Sequence, residues 1–349
     1  MKLEIGTIPA INKEMGEKVK AYIDTLTKPI GSLGRLEEIA VQLAEMTGEA
    51  FPVVSPPAAL LFASDHGVTD EGVSAYPKEV TAQMVYNFLS GGAAMNVFSR
   101  YIGAQFAIVD VGVAETIAHD QLISRKIRPG TRNFCREDAM TEEEAIQAIE
   151  IGQQEAAKII QNGAKSLIVG EMGIGNTTSA SALLAAMTEK DVSELIGPGT
   201  GLNEKQMKVK QKVIERALAE RKPDKHNPID MIKKLGGYEI AAMSGAMLEA
   251  AKNRVPIIVD GFICTVSALI AAKIDRRASD YMFVGHRSKE PGHKTALEQL
   301  GKIPILDLEM RLGEGTGAAL AFPIIEAATK MLSEMATFSE AGISEKQSK

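Results

Sequence analysis

The sequence predicts an α/β protein built on a doubly wound, mostly parallel sheet of six strands, with a smaller helical domain drawn from both chain ends. Three observations predict it. Six short apolar runs, each five or six residues long, alternate with Ala-rich stretches of helical character. Strands alternating with helices imply parallel crossovers and helices on both faces. Nearly every run is followed by a loop rich in glycine and polar residues, as expected where strands end at a ligand-binding edge. The chain has 349 residues, 45% hydrophobic and 24% charged, enough to bury one large core with an appendage.

Residues 1–50 hold no strand candidate. Leu33, Leu36, Ile39, Ala40 and Leu43 recur at helical spacing, and the 32–35 stretch after Pro29 looks like a helix start. The amino terminus carries acidic residues early and lacks an uninterrupted apolar run, so no secretory signal is expected. Strands are expected at 58–63, 106–111, 166–170, 256–260, 281–285 and 304–308. Each is almost continuously apolar, the pattern of a strand covered on both faces. Helices are expected at 178–188, 263–273 and 316–330, the last kinked at Pro323. Residues 189–235 are strand-poor, and their charges with Pro223 and Pro228 mark an excursion of helices and loops. The run of Glu204, Lys205, Lys208, Lys210 and Lys212 reads as a solvated face. The expected division is 1–50 for the N-terminal helical part of the small domain, 51–320 for the large α/β domain, and 321–349 for the C-terminal helix and polar tail.

Composition excludes several functions. Thirty-nine Lys plus Arg against 45 Asp plus Glu give a net charge of −6 without a dense basic run, which argues against nucleic-acid binding. Aromatics are 5% and Trp is absent, so base-stacking platforms are few. Cys135 and Cys264 lie far apart outside any C-x-x-C pattern, which excludes a disulfide framework and a Cys-rich zinc module and suits a reducing cytoplasm. The longest apolar stretches, such as 263–272, reach about ten residues where a membrane span needs about twenty. A soluble, cytoplasmic protein is expected.

The chemistry gathers at the predicted strand ends. Ser64–Asp65–His66–Gly67 follows the first, Glu171 to Ser179 the third, Asp260–Gly261 the fourth, His286 to His293 the fifth and Arg311 to Gly317 the sixth. In the loop from Gly173 to Thr178, two glycines allow close backbone approach while Thr177, Thr178 and Ser179 open a helix, whose amino end suits a phosphate. It is neither a Walker A loop nor a G-x-G-x-x-G fingerprint. Glu314 stands between Gly313 and Gly315 as a candidate acid or base, or as a charge complementing a helix dipole. Asp65 and Asp260 could orient a ribose or hold a loop. His66, His286 and His293 lack metal-ligand spacing and read as loop-ordering groups or ligand contacts. Unaided, Lys210 reads as surface. Residue chemistry thus reaches a small phosphorylated ligand without naming it.

At these residues the sequence resembles the nicotinate-nucleotide–dimethylbenzimidazole phosphoribosyltransferase family. The resemblance covers almost the whole chain and includes KPIGSLGRLE (28–37), SDHGV (64–68), GVSAYPKEVTAQMV (72–85), GGAAMNV (91–97) and GEMGIGNTTSAS (170–181). It continues through GPGTGL (197–202), VDGFI (259–263), GHRSKEPGH (285–293) and LDLEMRLGEGTGAALA (306–321). It implies a Rossmann-like sheet, a homodimer, and transfer of phosphoribosyl from nicotinate mononucleotide to a benzimidazole, with Glu314 as general base and no cofactor or metal. Glu171, Gly173, Gly175, Asn176, Thr177, Lys210, Asp260 and Ser288 would lie around the nucleotide and its phosphate, with Gly313 and Gly315 framing the base. Ser74, Gln83 and Leu312 would lie near the benzimidazole, Leu312 as an apolar wall that partly buries Glu314. Met-rich segments around 84–95 and 243–247 could face the second copy. A nucleotide N-glycoside hydrolase and a non-catalytic nucleotide sensor remain alternatives on the same scaffold.

Overall fold

The computed structural model describes residues 3–199 and 201–344; Thr200 and the last part of the expected polar tail lie outside the described residues. The chain opens with α1 (Lys13–Ile23) and α2 (Arg35–Thr47) and enters β1 (Pro57–Ser64). A 3₁₀ turn (Gly67–Glu71) leads to α3 (Val80–Leu89), α4 (Ala94–Tyr101), β2 (Gln105–Gly112) and β3 (Leu122–Ser124). Helix α5 (Glu142–Gln161) crosses to β4 (Ser166–Met172). Five helices follow: α6 (Asn176–Thr188), α7 (Val192–Leu195), α8 (Glu204–Arg221), α9 (Pro228–Leu235) and α10 (Tyr238–Lys252). Then come β5 (Ile257–Val259), α11 (Phe262–Ile274), β6 (Met282–Val284), α12 (Gly292–Leu300), α13 (Thr316–Glu334) and α14 (Phe338–Ala341).

The strand order is β3-β2-β1-β4-β5-β6, and every pairing is parallel. The order reverses between β1 and β4, which opens a crevice at their carboxyl ends. Strand β1 is buried along its whole length, as its apolar run requires. Helices α5, α10 and α11 pack together against the sheet, while α3, α4 and α13 form a second group on it. The expected doubly wound architecture is therefore present.

One strand differs from expectation. The 304–308 run follows the edge of β6 only briefly: Ile305 N–H donates to Val284 O, Leu306 N–H donates to Gly285 O, and a single bridge joins Leu306 to His286. Pro304 has no N–H to give, and Leu308 turns outward to solvent. The remaining strand is β3, three residues pairing with β2 on the opposite edge. Its run is too short to carry a period.

Helix α13 runs on through Pro323 to Glu334, past the expected end. The two chain ends meet where Thr27 N–H donates to Ala336 O and Phe338 N–H donates to Thr25 O, and α2 packs on α13. Met243 and Met247 are fully buried within the single chain, so they fill the core rather than face a second copy. Met95 is likewise buried.

Helices α5 and α10 approach through small residues. A Cβ on Gly152 would fall 1.8 Å from Ala242 O. Replacing Gly152 with Val should therefore push the helices apart and lower unfolding free energy by about 1–3 kcal/mol or more, the range for overpacking. Urea unfolding followed by circular dichroism checks this; an unchanged midpoint would contradict the packing.

Candidate active site

The crevice between β1 and β4 is built from the loops that the sequence singles out. Phe62 of β1 pairs in register with Glu171 of β4, which brings the Asp65–His66 turn level with the Glu171–Gly175 loop. That loop closes over Gly175, whose φ of 97° caps α6. Ile174 N–H donates to Thr81 Oγ1 at 3.1 Å, anchoring the loop to α3. The amino end of α6 then carries Asn176 and Thr177.

Lys210 departs from its surface reading. It is fully buried, and its Nζ donates to Thr177 Oγ1 at 3.0 Å and to Gly197 O at 3.2 Å. Burial pulls its pKa down to about 8, with Glu290 opposing the shift. A signal for this exists in the sequence: Lys210 shares the inward stripe of α8 with Val213, Ile214 and Ala217, while Lys208 and Lys212 are exposed.

Glu314 is held by two other carboxylates. Its own N–H donates to Glu171 Oε1 at 3.2 Å. The Gly315 N–H donates to Asp260 Oδ2 at 3.1 Å, and the Gly317 and Ala318 N–H groups donate to Asp260 Oδ1 at 2.7 and 3.0 Å. Asp260 thus caps α13 from the end of β5. Glu314 has a left-handed φ of 65°, which costs about 1–2 kcal/mol for an L-residue. Hydrogen bonds to ionised acceptors contribute about 1.5–3 kcal/mol each, so the cap outweighs the strain. Glu314 also lies flat on β4, because a Cβ on Gly170 would fall 2.2 Å from Glu314 O.

The Glu314 carboxyl is buried, with 6% of the residue exposed, and its Oε2 accepts the Met95 N–H at 3.4 Å. Burial raises its pKa to about 7, against the Met95 hydrogen bond and with a further push from Asp260. Burial also lifts Glu171 well above the usual carboxylate range. Leu312 is not the wall: it is 57% exposed. It sits before the turn, pointing away from the sheet, and Met95 from α4 takes the covering place.

The remaining residues divide. Glu171 also accepts from Asn176 Nδ2, so these two hold each other. Ser288 N–H donates to His293 Nδ1 at 2.8 Å, and Ser288 Oγ accepts the Glu290 N–H at 3.3 Å. His293 Nε2 lies 3.0 Å from Thr265 Oγ1, whose hydroxyl donates to Gly261 O. An acceptor at Nδ1 puts the His293 proton on Nε2, and burial pulls its pKa down to about 3. His293 orders a loop. His66 Nε2 lies 2.7 Å from Glu239 Oε1 with both side chains fully buried, and His286 lies 3.4 Å from Asp260. Glu239, Met95 and Thr81 belong to the site region without having been marked by sequence, because each comes from a helix remote in the chain. Gln83 is exposed on α3. Ser74 is half-buried in the preceding loop, where its Oγ accepts the Tyr76 N–H at 3.2 Å. Among the described residues, no group of three or more His, Cys, Asp or Glu side chains is placed to hold a metal ion.

Comparison with known proteins covers nearly the whole chain. A phosphoribosyltransferase family model matches residues 8–343. The nicotinate-nucleotide–dimethylbenzimidazole phosphoribosyltransferase of Geobacter sulfurreducens is 48% identical over 98% of this chain and 97% of its own. That of Chloroflexus aggregans is 51% identical, covering 98% of each. The crystal structure of CobT from Thermus thermophilus superposes with a TM-score of 0.92 at 45% identity, covering 95% of this chain and 99% of the other.

The Asp260 cap is testable without substrate. Asp260→Asn replaces one accepting oxygen with an N–H₂ group facing backbone donors. Unfolding free energy should fall by about 1–3 kcal/mol, the penalty for a buried polar group left unpaired. An unchanged urea midpoint would show that the cap does not hold α13.

Proposed function

The chain belongs to the nicotinate-nucleotide–dimethylbenzimidazole phosphoribosyltransferase family, and from that premise we propose how its residues divide the reaction. It transfers the phosphoribosyl group of nicotinate mononucleotide to 5,6-dimethylbenzimidazole or a related base, giving α-ribazole 5′-phosphate and nicotinate. The observation that carries the division is Glu314: a buried carboxyl framed by glycines, with a pKa of about 7, at the carboxyl edge of the sheet.

Nicotinate in its nucleotide is a pyridinium and leaves with the electron pair of the glycosidic bond, so it needs no proton. One benzimidazole nitrogen gives its lone pair to the anomeric carbon from the opposite face, which inverts the configuration there. The other nitrogen's N–H then becomes acidic, and the Glu314 carboxylate takes that proton. One such base contributes about 10²–10⁴-fold, and holding the two bases on opposite faces of the ribose supplies much of the remainder. The amino end of α6 with Thr177 and Lys210 suits the phosphate: it offers N–H groups, a positive dipole end and a buried ammonium. Glu171, Asn176 and Ser288 complete the nucleotide side, and Asp260 acts by placing the Glu314 turn. Ser74, Gln83 and Leu312, on the open side, would meet the incoming base.

Two expectations follow. Glu314→Gln should bind nicotinate mononucleotide with near-normal affinity but turn over about 10²–10⁴-fold more slowly. In the parent enzyme the base must be ionised, so turnover should rise with pH through about 7 and level off above it. That limb should vanish in the Gln variant. Stopped assays of α-ribazole phosphate by mass across pH check both; near-normal turnover of the folded variant would reject Glu314 as base.

The homodimer is proposed on the family resemblance and on an apolar surface of α3 and α4. Tyr86, Val97 and Tyr101 are 41%, 47% and 71% exposed there, unlike the Met pair of α10. Light scattering should give twice the chain mass at micromolar concentration, and Val97→Asp with Tyr101→Asp should halve it. A parent chain that is monomeric and fully active would refute the dimer.

A further inference from the structure

Glu290, in the loop after β6, is 6% exposed and reaches the glycine-rich loop that precedes α8. Its Oε1 accepts the Gly199 N–H at 3.1 Å. Its Oε2 has no hydrogen-bond partner and lies so close to Gly197 that a Cβ there would fall 1.9 Å from it. The same short stretch of backbone meets Lys210 on its other side. Lys210 Nζ donates to Gly197 O, and a Cβ on Gly199 would fall 3.6 Å from Nζ and 2.8 Å from Thr177 Oγ1. A buried carboxylate and a buried ammonium are therefore separated by the backbone at Gly197 and Gly199. A half-satisfied buried carboxylate is costly, and nothing in the chemistry of the transfer uses it.

We propose that Glu290 is a positioning residue that keeps the Lys210 ammonium charged and held, through the backbone at Gly197 and Gly199, at the α6 amino end where the substrate phosphate docks. The proposal rests on the phosphate-site reading of Lys210 and α6 given above. The surroundings of Lys210 leave Glu290 this task. Helix α6 contributes the uncharged Thr177. Glu71 of the 3₁₀ turn is engaged by Arg136, Arg216 and Asn133. On α8 itself Lys208 and Lys212 are exposed cations, and Arg311 donates to Gly199 O from the exposed rim. Against burial, which drives Lys210 toward neutrality, the Glu290 charge is the force that favours the cation.

The test is steady-state kinetics of the full chain with nicotinate mononucleotide varied at saturating dimethylbenzimidazole, from about pH 6 to about pH 9. Glu290→Gln has the same size and can still accept the Gly199 N–H, so it removes the charge alone. Its KM for the nucleotide should rise roughly tenfold near pH 8 and much less near pH 6, because the alkaline limb moves down by about one unit. Its kcat at saturation should stay within about twofold of the parent. An unmoved limb, or a KM raised equally at every pH, would overturn the proposal, since a merely structural loop defect has no reason to follow the Lys210 proton. Glu290→Asp keeps the charge and should keep the parent's limb; it decides the matter should the Gln variant not fold, and a limb displaced in Asp would count against the charge role. Lys210→Met separates the two readings. A raised nucleotide KM with no alkaline limb supports the phosphate site, and an unaltered KM would refute that site and the Glu290 proposal with it.

Discussion

The placement of Glu314 depends on the carboxylate of Asp260. Its two oxygens take three N–H groups from the first turn of α13, and in doing so they join the end of β5 to the loop that carries Glu314. A helix amino end with unpaired donors would otherwise need water or a side chain of its own, and α13 offers glycine at its cap. Because the cap comes from another strand, the turn is fixed relative to the sheet rather than to its own helix. Glu171 completes the hold from β4 by accepting the Glu314 N–H. A reactive carboxyl on a strained turn is thereby placed by two strands at once.

The same arrangement tunes the chemistry. Three carboxyl groups, those of Glu171, Asp260 and Glu314, are buried within hydrogen-bonding reach of one turn. Asp260 spends its capacity on backbone donors. Glu314 accepts one long bond from Met95, so desolvation dominates and its proton affinity rises. Two acids of the same type therefore differ in role because one is saturated with donors and the other is not. The division resembles other sites in which neighbouring carboxyls are driven apart by environment.

The loops around this centre are linked to one another more than to their own elements. Ser288 is tied to His293, His293 to Thr265, and Thr265 to the carbonyl of Gly261, beside Asp260. Glu290 connects the same loop to Gly199, and Lys210 connects that segment to Thr177. A displacement at the phosphate end can thus reach the Glu314 turn through hydrogen bonds between buried groups. Such coupling is expected where each member has one acceptor and few alternatives.

Much of this was legible in the sequence. Continuous apolar runs at 58–63 and 166–170 are β1 and β4, since a central strand covered on both faces must be apolar throughout. The glycine-framed Glu314 and the loop from Gly173 to Thr178 stood out because glycine spacing and helix-opening hydroxyls are local properties of the chain. What lay beyond it were contacts between distant segments. Lys210 looked like one surface lysine among several until α6 and the Gly197 carbonyl closed over it, and Leu312 looked like a wall until the turn sent it to solvent. No local pattern could pair His66 with Glu239, or choose between ribose and helix cap for Asp260. Residue type and spacing determined the sheet and the loops that carry the chemistry. Tertiary structure alone decided which polar groups are buried and what they face, because desolvation and hydrogen bonding depend on neighbours that sequence order does not bring together.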